Sequence, residues 1–197
     1  MEIILASGSP RRKELLKRMG LNFAVRESRA EETIEEGLPP FFVVEQLSLL
    51  KASSVAKMVK SEGKDALIIG ADTVVVSENI ILTKPRDEAD AVNILRSLSG
   101  KWHSVLTGVT VMNTKNAKSE SFFAETKVHF INLSEEEIYA YVKTGEPLDK
   151  AGAYGIQEKG SLFVDAISGD YFNVVGLPVC KLAQVLKREF QIDCLIS

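Results

Sequence analysis

The stretch Leu5-Ala6-Ser7-Gly8-Ser9-Pro10-Arg11-Arg12-Lys13-Glu14-Leu15-Leu16 decides how the rest of the chain is read. Ile3 to Ala6 is apolar and β-prone, and Ser7, Gly8 and Ser9 break the strand. Ser9 suits a helix N-cap, and Pro10 suits the first helical position because its missing N–H would have had no partner there. Leu15, Leu16 and Met19 continue at helical spacing. The reading is a strand, a small-residue turn and a helix. Arg11 and Arg12 then fall in the first helical turn, the end that the helix dipole already makes positive. An anion would resolve the conflict, because N–H groups, serine hydroxyls and two guanidiniums converge where a polyphosphate would lie. The alternative on this stretch alone is a solvated basic turn.

The 197 residues are 45% hydrophobic and 26% charged, which suits one domain over residues 1–197, with or without two lobes, and a core needing no metal or disulfide support. A net charge of -3 argues against a general nucleic-acid-binding surface. The start, Met1-Glu2-Ile3-Ile4-Leu5-Ala6, is acidic and too briefly apolar for a signal peptide, and no later segment approaches a membrane span. A cytoplasmic location with no membrane partner is the expectation. Cys180 and Cys194 form no CxxC, so two reduced thiols are expected, although a bridge stays open in principle. His103 and His129 are too few and too scattered for a histidine-rich zinc site.

Farther along, Phe23 to Val25 reads as a strand and Glu27 to Pro40 as an acidic loop. Phe41 to Val59 has helical periodicity, and Ala66 to Gly70 reads as a buried strand. Thr73–Val76 and Ile80–Leu82 read as two more short strands, with Asp72 interrupting what would otherwise be one run. Asp87 caps a helix that stops at Gly100. Trp102–Met112 and Phe122–Ile131 predict a long antiparallel pair. Ser134 to Glu137 is a capping box opening a helix that ends at Gly145. Glu146 to Gly160 has no clear period, Leu162 to Ile167 is a strand candidate, and Pro178 opens a last helix. Helices and strands alternate around hairpins, which predicts an α/β fold with a mixed central sheet.

Asp72, in Ile69-Gly70-Ala71-Asp72-Thr73, costs β propensity and loses hydration, so it is a candidate to bind a hard cation or accept a proton from water. The plain alternative is a turn aspartate satisfied by nearby N–H groups. Lys84, fixed by Pro85, could reach a phosphate as a point charge. Glu31 or Glu32 could join Asp72 on a metal, although such a run is ordinarily a solvated loop. Gly145, Gly152 and Gly155 would let a backbone approach a ligand closely, and Gln157 offers a donor and an acceptor for a base edge. No Walker A, GxGxxG or G-x-S-x-G pattern is present, and Ser7 and Ser9 have no histidine nearby in sequence. The inventory suits metal-assisted attack of water on a phosphoryl group.

The blocks LASGSPRRKELL (5–16), IGADTVV (69–75), KP (84–85), LSGKWHSVLTGV (98–109), YVKTGEPLDKAGAYGIQ (141–157) and GDYFNVVGLP (169–178) together resemble the Maf family of nucleoside triphosphate pyrophosphatases. The resemblance implies a mixed α/β fold related to the inosine-triphosphate pyrophosphatases, with a central sheet, flanking helices and two lobes around a cleft. It implies hydrolysis of a nucleoside triphosphate to monophosphate and pyrophosphate, dependence on a divalent cation such as Mg2+ or Mn2+, usually dimeric assembly and a cytoplasmic location. By the same resemblance Ser7, Arg11, Arg12, Lys51 and Lys84 match phosphate-contacting positions. Asp72 matches the acceptor of water's proton, and Glu32 matches an acidic partner in metal binding. Arg12, Thr73 and Gln157 match positions tied to substrate choice. Asp72-Thr73 resembles the branch that prefers dTTP and UTP, whereas the 7-methyl-GTP branch has Asp-Gln. Glu158 departs from the glycine often found after the glutamine. Two alternatives accompany this expectation: a housecleaning enzyme for a modified nucleotide, and a nucleotide-binding regulator of septum formation without turnover.

Overall fold

Short apolar runs at each end of the first 70 residues become neighbouring strands. In the computed structural model, which describes residues 1–32 and 37–196, β1 (Glu2–Leu5) pairs in parallel with β2 (Phe23–Val25) and with β3 (Ala66–Ser77). The remaining strands are β4 (Ile80–Leu82), β5 (Trp102–Asn113), β6 (Ser119–Phe130) and β7 (Val164–Ser168). Their order is β2-β1-β3-β5-β6-β7, with β4 also on β3. β4 runs antiparallel to β3 and β7 antiparallel to β6, so the sheet is mixed, as expected. The helices are α1 (Pro10–Arg18), α2 (Pro40–Ser61), α3 (Glu88–Leu98), α4 (Glu135–Val142), α5 (Tyr171–Val175) and α6 (Val179–Phe190).

Local chemistry explains most boundaries. Ser9, Asp87 and Ser134 cap α1, α3 and α4 through their side chains, and Ser134 and Glu137 complete a capping box. Glu78 and Asn79 both take positive φ, which suits the tight turn between β3 and β4. Four findings differ from the sequence expectations. β3 runs unbroken through Asp72. The strand expected over Leu162–Ile167 starts two residues later, as β7, because Leu162 and Phe163 close the 3-10 turn Lys159–Phe163. The aperiodic stretch before it contains the 3-10 turns Glu146–Asp149 and Ala151–Ala153. The short helix α5 has no counterpart in the sequence pattern. Residues 33–36 of the expected Glu27–Pro40 loop lie outside the described residues.

The chain divides into two compact units. The first comprises Met1–Asp72, Thr107–Ala124 and Gly176–Ser197. Its core sets Ala52, Val55, Ala56 and Val59 of α2 against Ile4, Ala66 and Ile68 of β1 and β3. The second comprises Thr73–Leu106 and Glu125–Val175. There α3 packs on α4 and on the 3-10 turns, and an aromatic group joins Phe130, Tyr154, Phe163 and Tyr141 through edge-on contacts. Among the described residues no helix is long and apolar enough to cross a membrane.

Candidate active site

Strand β1 ends at Leu5, Ala6 continues the ladder by donating its N–H to the Ile69 carbonyl, and the chain then turns into α1. The turn aims Arg12 inward. Its guanidinium is almost fully buried, donating through Nη1 to the Ser7 hydroxyl at 3.1 Å and through Nε to the Gly176 carbonyl at 2.9 Å. A solvated basic turn is therefore excluded for Arg12. Burial pulls its pKa down, the charge of Asp72 opposes this, Arg11 adds to the depression and Glu32 opposes it. The Ser7 oxygen accepts from both Arg12 and the Ser9 N–H, so the hydroxyl proton is the part of Ser7 left to donate to a ligand. Arg11 is half-buried on the same helical turn.

Helix α2 brings in the next cation. It lies close to the sheet because Gly70 of β3 and Gly108 of β5 lack side chains. A Cβ at Gly70 would sit 2.4 Å from the Ser48 carbonyl oxygen, and one at Gly108 would sit 2.1 Å from that of Val44. So seated, α2 places the Lys51 ammonium 2.5 Å from Asp72 Oδ1 and 3.1 Å from Glu32 Oε1. The side chains of Lys51 and Asp72 are each only 12% exposed, while that of Glu32 is about half exposed at 47%. This explains how β3 tolerates Asp72. The carboxylate is buried within a strand, but the charge has a partner from α2. It is neither a strand-breaker nor a turn aspartate. Ser7, Arg12, Lys51, Asp72 and Glu32 are thus brought together within the first unit. Among the described residues no three or more His, Cys, Asp or Glu side chains form a metal cage.

The second unit carries Thr73, Lys84 and Gln157. Thr73 is half-buried on β3 immediately after Asp72. Lys84 is exposed while the following Pro85 is buried, so the proline anchors the segment that presents the lysine. Gln157 is exposed at the tip of a turn in which Glu158 N–H donates to the Gly155 carbonyl. Two glycines differ from expectation. The space beside Gly152 is filled by Val75, 2.7 Å from where a Cβ would lie, and that beside Gly155 by the Lys150 stem, also at 2.7 Å. Both serve packing of the chain on itself, not approach to a ligand. Of these three glycines, Gly145 alone has open space at its missing Cβ.

Sequence reasoning missed Gly176, whose carbonyl fixes Arg12, and the pair Gly70 and Gly108, which seat α2. The signal for the first was a block, GDYFNVVGLP, with no chemistry of its own. The signal for the second was a glycine inside each of two strand patterns, which marks a close backbone approach.

Fold and geometry together define an α/β protein whose first unit holds a candidate site of a hydroxyl, two inward-facing cations and two carboxylates. The chain belongs to the Maf-like protein family, whose model matches residues 2–189. It is 52% identical over 195 residues to a dTTP/UTP pyrophosphatase of Thermoanaerobacter sp. (strain X514), covering 99% of this chain and 100% of the relative. It is 50% identical over 190 residues to a dTTP/UTP pyrophosphatase of Acetivibrio thermocellus, covering 95% and 94%. Among solved structures the Ham1 protein of Staphylococcus aureus is similar at 17% identity and a TM-score of 0.46, over 81% of this chain and 90% of that one.

Proposed function

We propose that this Maf-like protein is a nucleoside triphosphate pyrophosphatase acting foremost on dTTP and UTP. Water attacks the α-phosphorus, the bond from that phosphorus to the oxygen bridging to the β-phosphate breaks, and nucleoside monophosphate and pyrophosphate leave. The observation that carries the reading is the convergence of Arg12, Ser7, Lys51, Asp72 and Glu32 within one unit. The two relatives named above support the substrate.

The roles follow from the chemistry of each group. Ser7 donates its hydroxyl proton to a phosphate oxygen. Arg11, Arg12, Lys51 and Lys84 balance the triphosphate's charge, and Arg12, held on two sides, does so from a fixed position. Asp72 receives the proton of the attacking water through Oδ2, since Lys51 occupies Oδ1. Thr73 and Gln157 contact the pyrimidine, and Arg12 contributes to substrate choice. A divalent cation, Mg2+ or Mn2+, would be held by Asp72 and Glu32, because both present hard oxygen donors and Lys51, which bonds one oxygen of each, brings the two carboxylates near each other. When bound, such an ion neutralises phosphate charge and favours departure of pyrophosphate. The protein works as a single domain over residues 1–197, as a homodimer and in the cytoplasm. Support for the dimer comes from Phe41, Phe42, Leu49 and Leu50, large apolar side chains that α2 leaves exposed.

The test is pyrophosphate release from dTTP, UTP, CTP, ITP, GTP and 7-methyl-GTP, with Mg2+ or Mn2+ and with a chelator. Release led by dTTP and UTP, and lost with the chelator, is the expected result. Tight binding of dTTP without release from any substrate overturns the enzyme reading and leaves a nucleotide-binding regulator.

A further inference from the structure

Residues 141–160 fold on themselves around one carboxylate. The Tyr141 hydroxyl donates to Glu146 Oε1 at 2.6 Å and accepts from the Gly155 N–H at 3.2 Å. Glu146 also accepts from the Gly160 N–H on Oε1 and from the Lys159 N–H on Oε2, both at 3.2 Å. The turn that bears Gln157 is therefore pinned at both ends, at Gly155 through Tyr141 and at Lys159 and Gly160 through Glu146. Below it the Lys150 stem lies against Gly155, and its ammonium donates to the Glu146 carbonyl at 2.7 Å. Burial, and then the bond to Glu146, holds the Tyr141 phenol above its ordinary pKa, so it stays a donor at neutral pH. Gln157 itself is exposed and has no hydrogen bond among the described residues, so its position is set by the backbone beneath it.

We infer that Glu146 is a positioning residue for Gln157, and that the Tyr141–Glu146 pair sets how strictly the pyrimidine is selected. The inference rests on the reading that Gln157 contacts the base. A side chain can discriminate bases by hydrogen bonding only if its backbone is held to a fraction of an ångström. Glu146→Gln is nearly isosteric, yet it replaces one acceptor oxygen by an amide donor facing a backbone N–H.

The experiment compares kcat and KM for UTP and CTP in the full-length protein and in Gln157→Ala, Glu146→Gln and their double variant. Gln157→Ala is expected to lower the UTP-to-CTP ratio of kcat/KM about tenfold. Glu146→Gln is expected to lower it to a similar extent, with the change carried mainly by KM, and the double variant is expected to be no worse than either single one. Amide exchange at Gly155, Lys159 and Gly160 should quicken in Glu146→Gln. If Gln157→Ala lowers the ratio and Glu146→Gln does not, or if the two effects add, the inference fails and the base assignment stands. If Gln157→Ala leaves the ratio unchanged, the base assignment fails and takes the inference with it. Should Glu146→Gln not fold, Tyr141→Phe carries the same test, since it keeps the ring against Phe163 and deletes only the bridging hydroxyl.

Discussion

Removing the ammonium of Lys51 would leave Asp72 and Glu32 facing each other without the cation that joins them. Lys51→Met keeps the apolar stem, so its effect isolates the charge. A buried carboxylate stripped of its partner costs about 3–5 kcal/mol, and the exposure of Glu32, a little water at Asp72 and the remaining charge of Arg12 bring the expected loss to about 2–3 kcal/mol. Urea unfolding at neutral pH reads this, and Asp72→Asn in the same background should restore part of it. An unchanged midpoint would show that the pair is not held as the geometry places it. Asp72→Asn alone should lower turnover by about 10²–10⁴, the usual worth of a positioned acid or base. Near-normal pyrophosphate release from this variant would remove Asp72 from the role of proton acceptor. A burial-sensitive residue of this kind is half legible in sequence. The odd aspartate in an apolar run is visible, but Lys51, the partner that lets the strand continue, is 21 positions away and carries no local signal.

At the scale of elements, the seating of α2 on the sheet is the feature most open to test. Gly108→Ala would place a methyl group 2.1 Å from the Val44 carbonyl oxygen and 2.7 Å from the Glu45 nitrogen. Both atoms are helix backbone, so the helix must shift as a body. We expect a loss of about 1–3 kcal/mol from overpacking and a fall in kcat/KM, because Lys51 rides on the displaced helix. Gly63→Ala serves as a control, since its φ of +69° carries a backbone cost while no heavy atom lies within 4 Å of its missing Cβ. It should lower the melting temperature without moving kcat/KM. Helices α1, α3 and α4 were legible, because Ser9, Asp87 and Ser134 announce their starts chemically. The segment 146–160 was not, because its shape comes from Tyr141, Glu146 and Lys150 bonding to backbone groups. Such links leave no period in the sequence.

The stability of the whole molecule should depend on pH through a residue outside the candidate site. His103 is buried in the second unit, where Nε2 lies 2.9 Å from the Tyr154 hydroxyl and the ring stands edge-on to Phe130. Its Nδ1 meets no hydrogen-bond partner among the described residues. Burial holds the imidazole at about 4, with the Lys101 backbone, short of a well-formed hydrogen bond, opposing this and His129 adding slightly to it. The folded value lies below the unfolded value of about 6.5, so the unfolded chain takes up a proton that the folded chain refuses. The stability contributed by neutral His103 is therefore complete above pH 6.5 and is lost progressively as the pH falls toward 4. Between pH 7 and pH 5 the loss is roughly 2 kcal/mol by linkage. The carboxylates lowered by surface ion pairs, such as Glu78 and Glu135, release their contributions only at lower pH, which keeps this window clear of them. Denaturant unfolding at intervals between pH 7 and pH 5 should show a falling midpoint in the native sequence and a flatter profile in His103→Gln. Parallel profiles for the two proteins would mean that His103 takes up its proton without unfolding the chain.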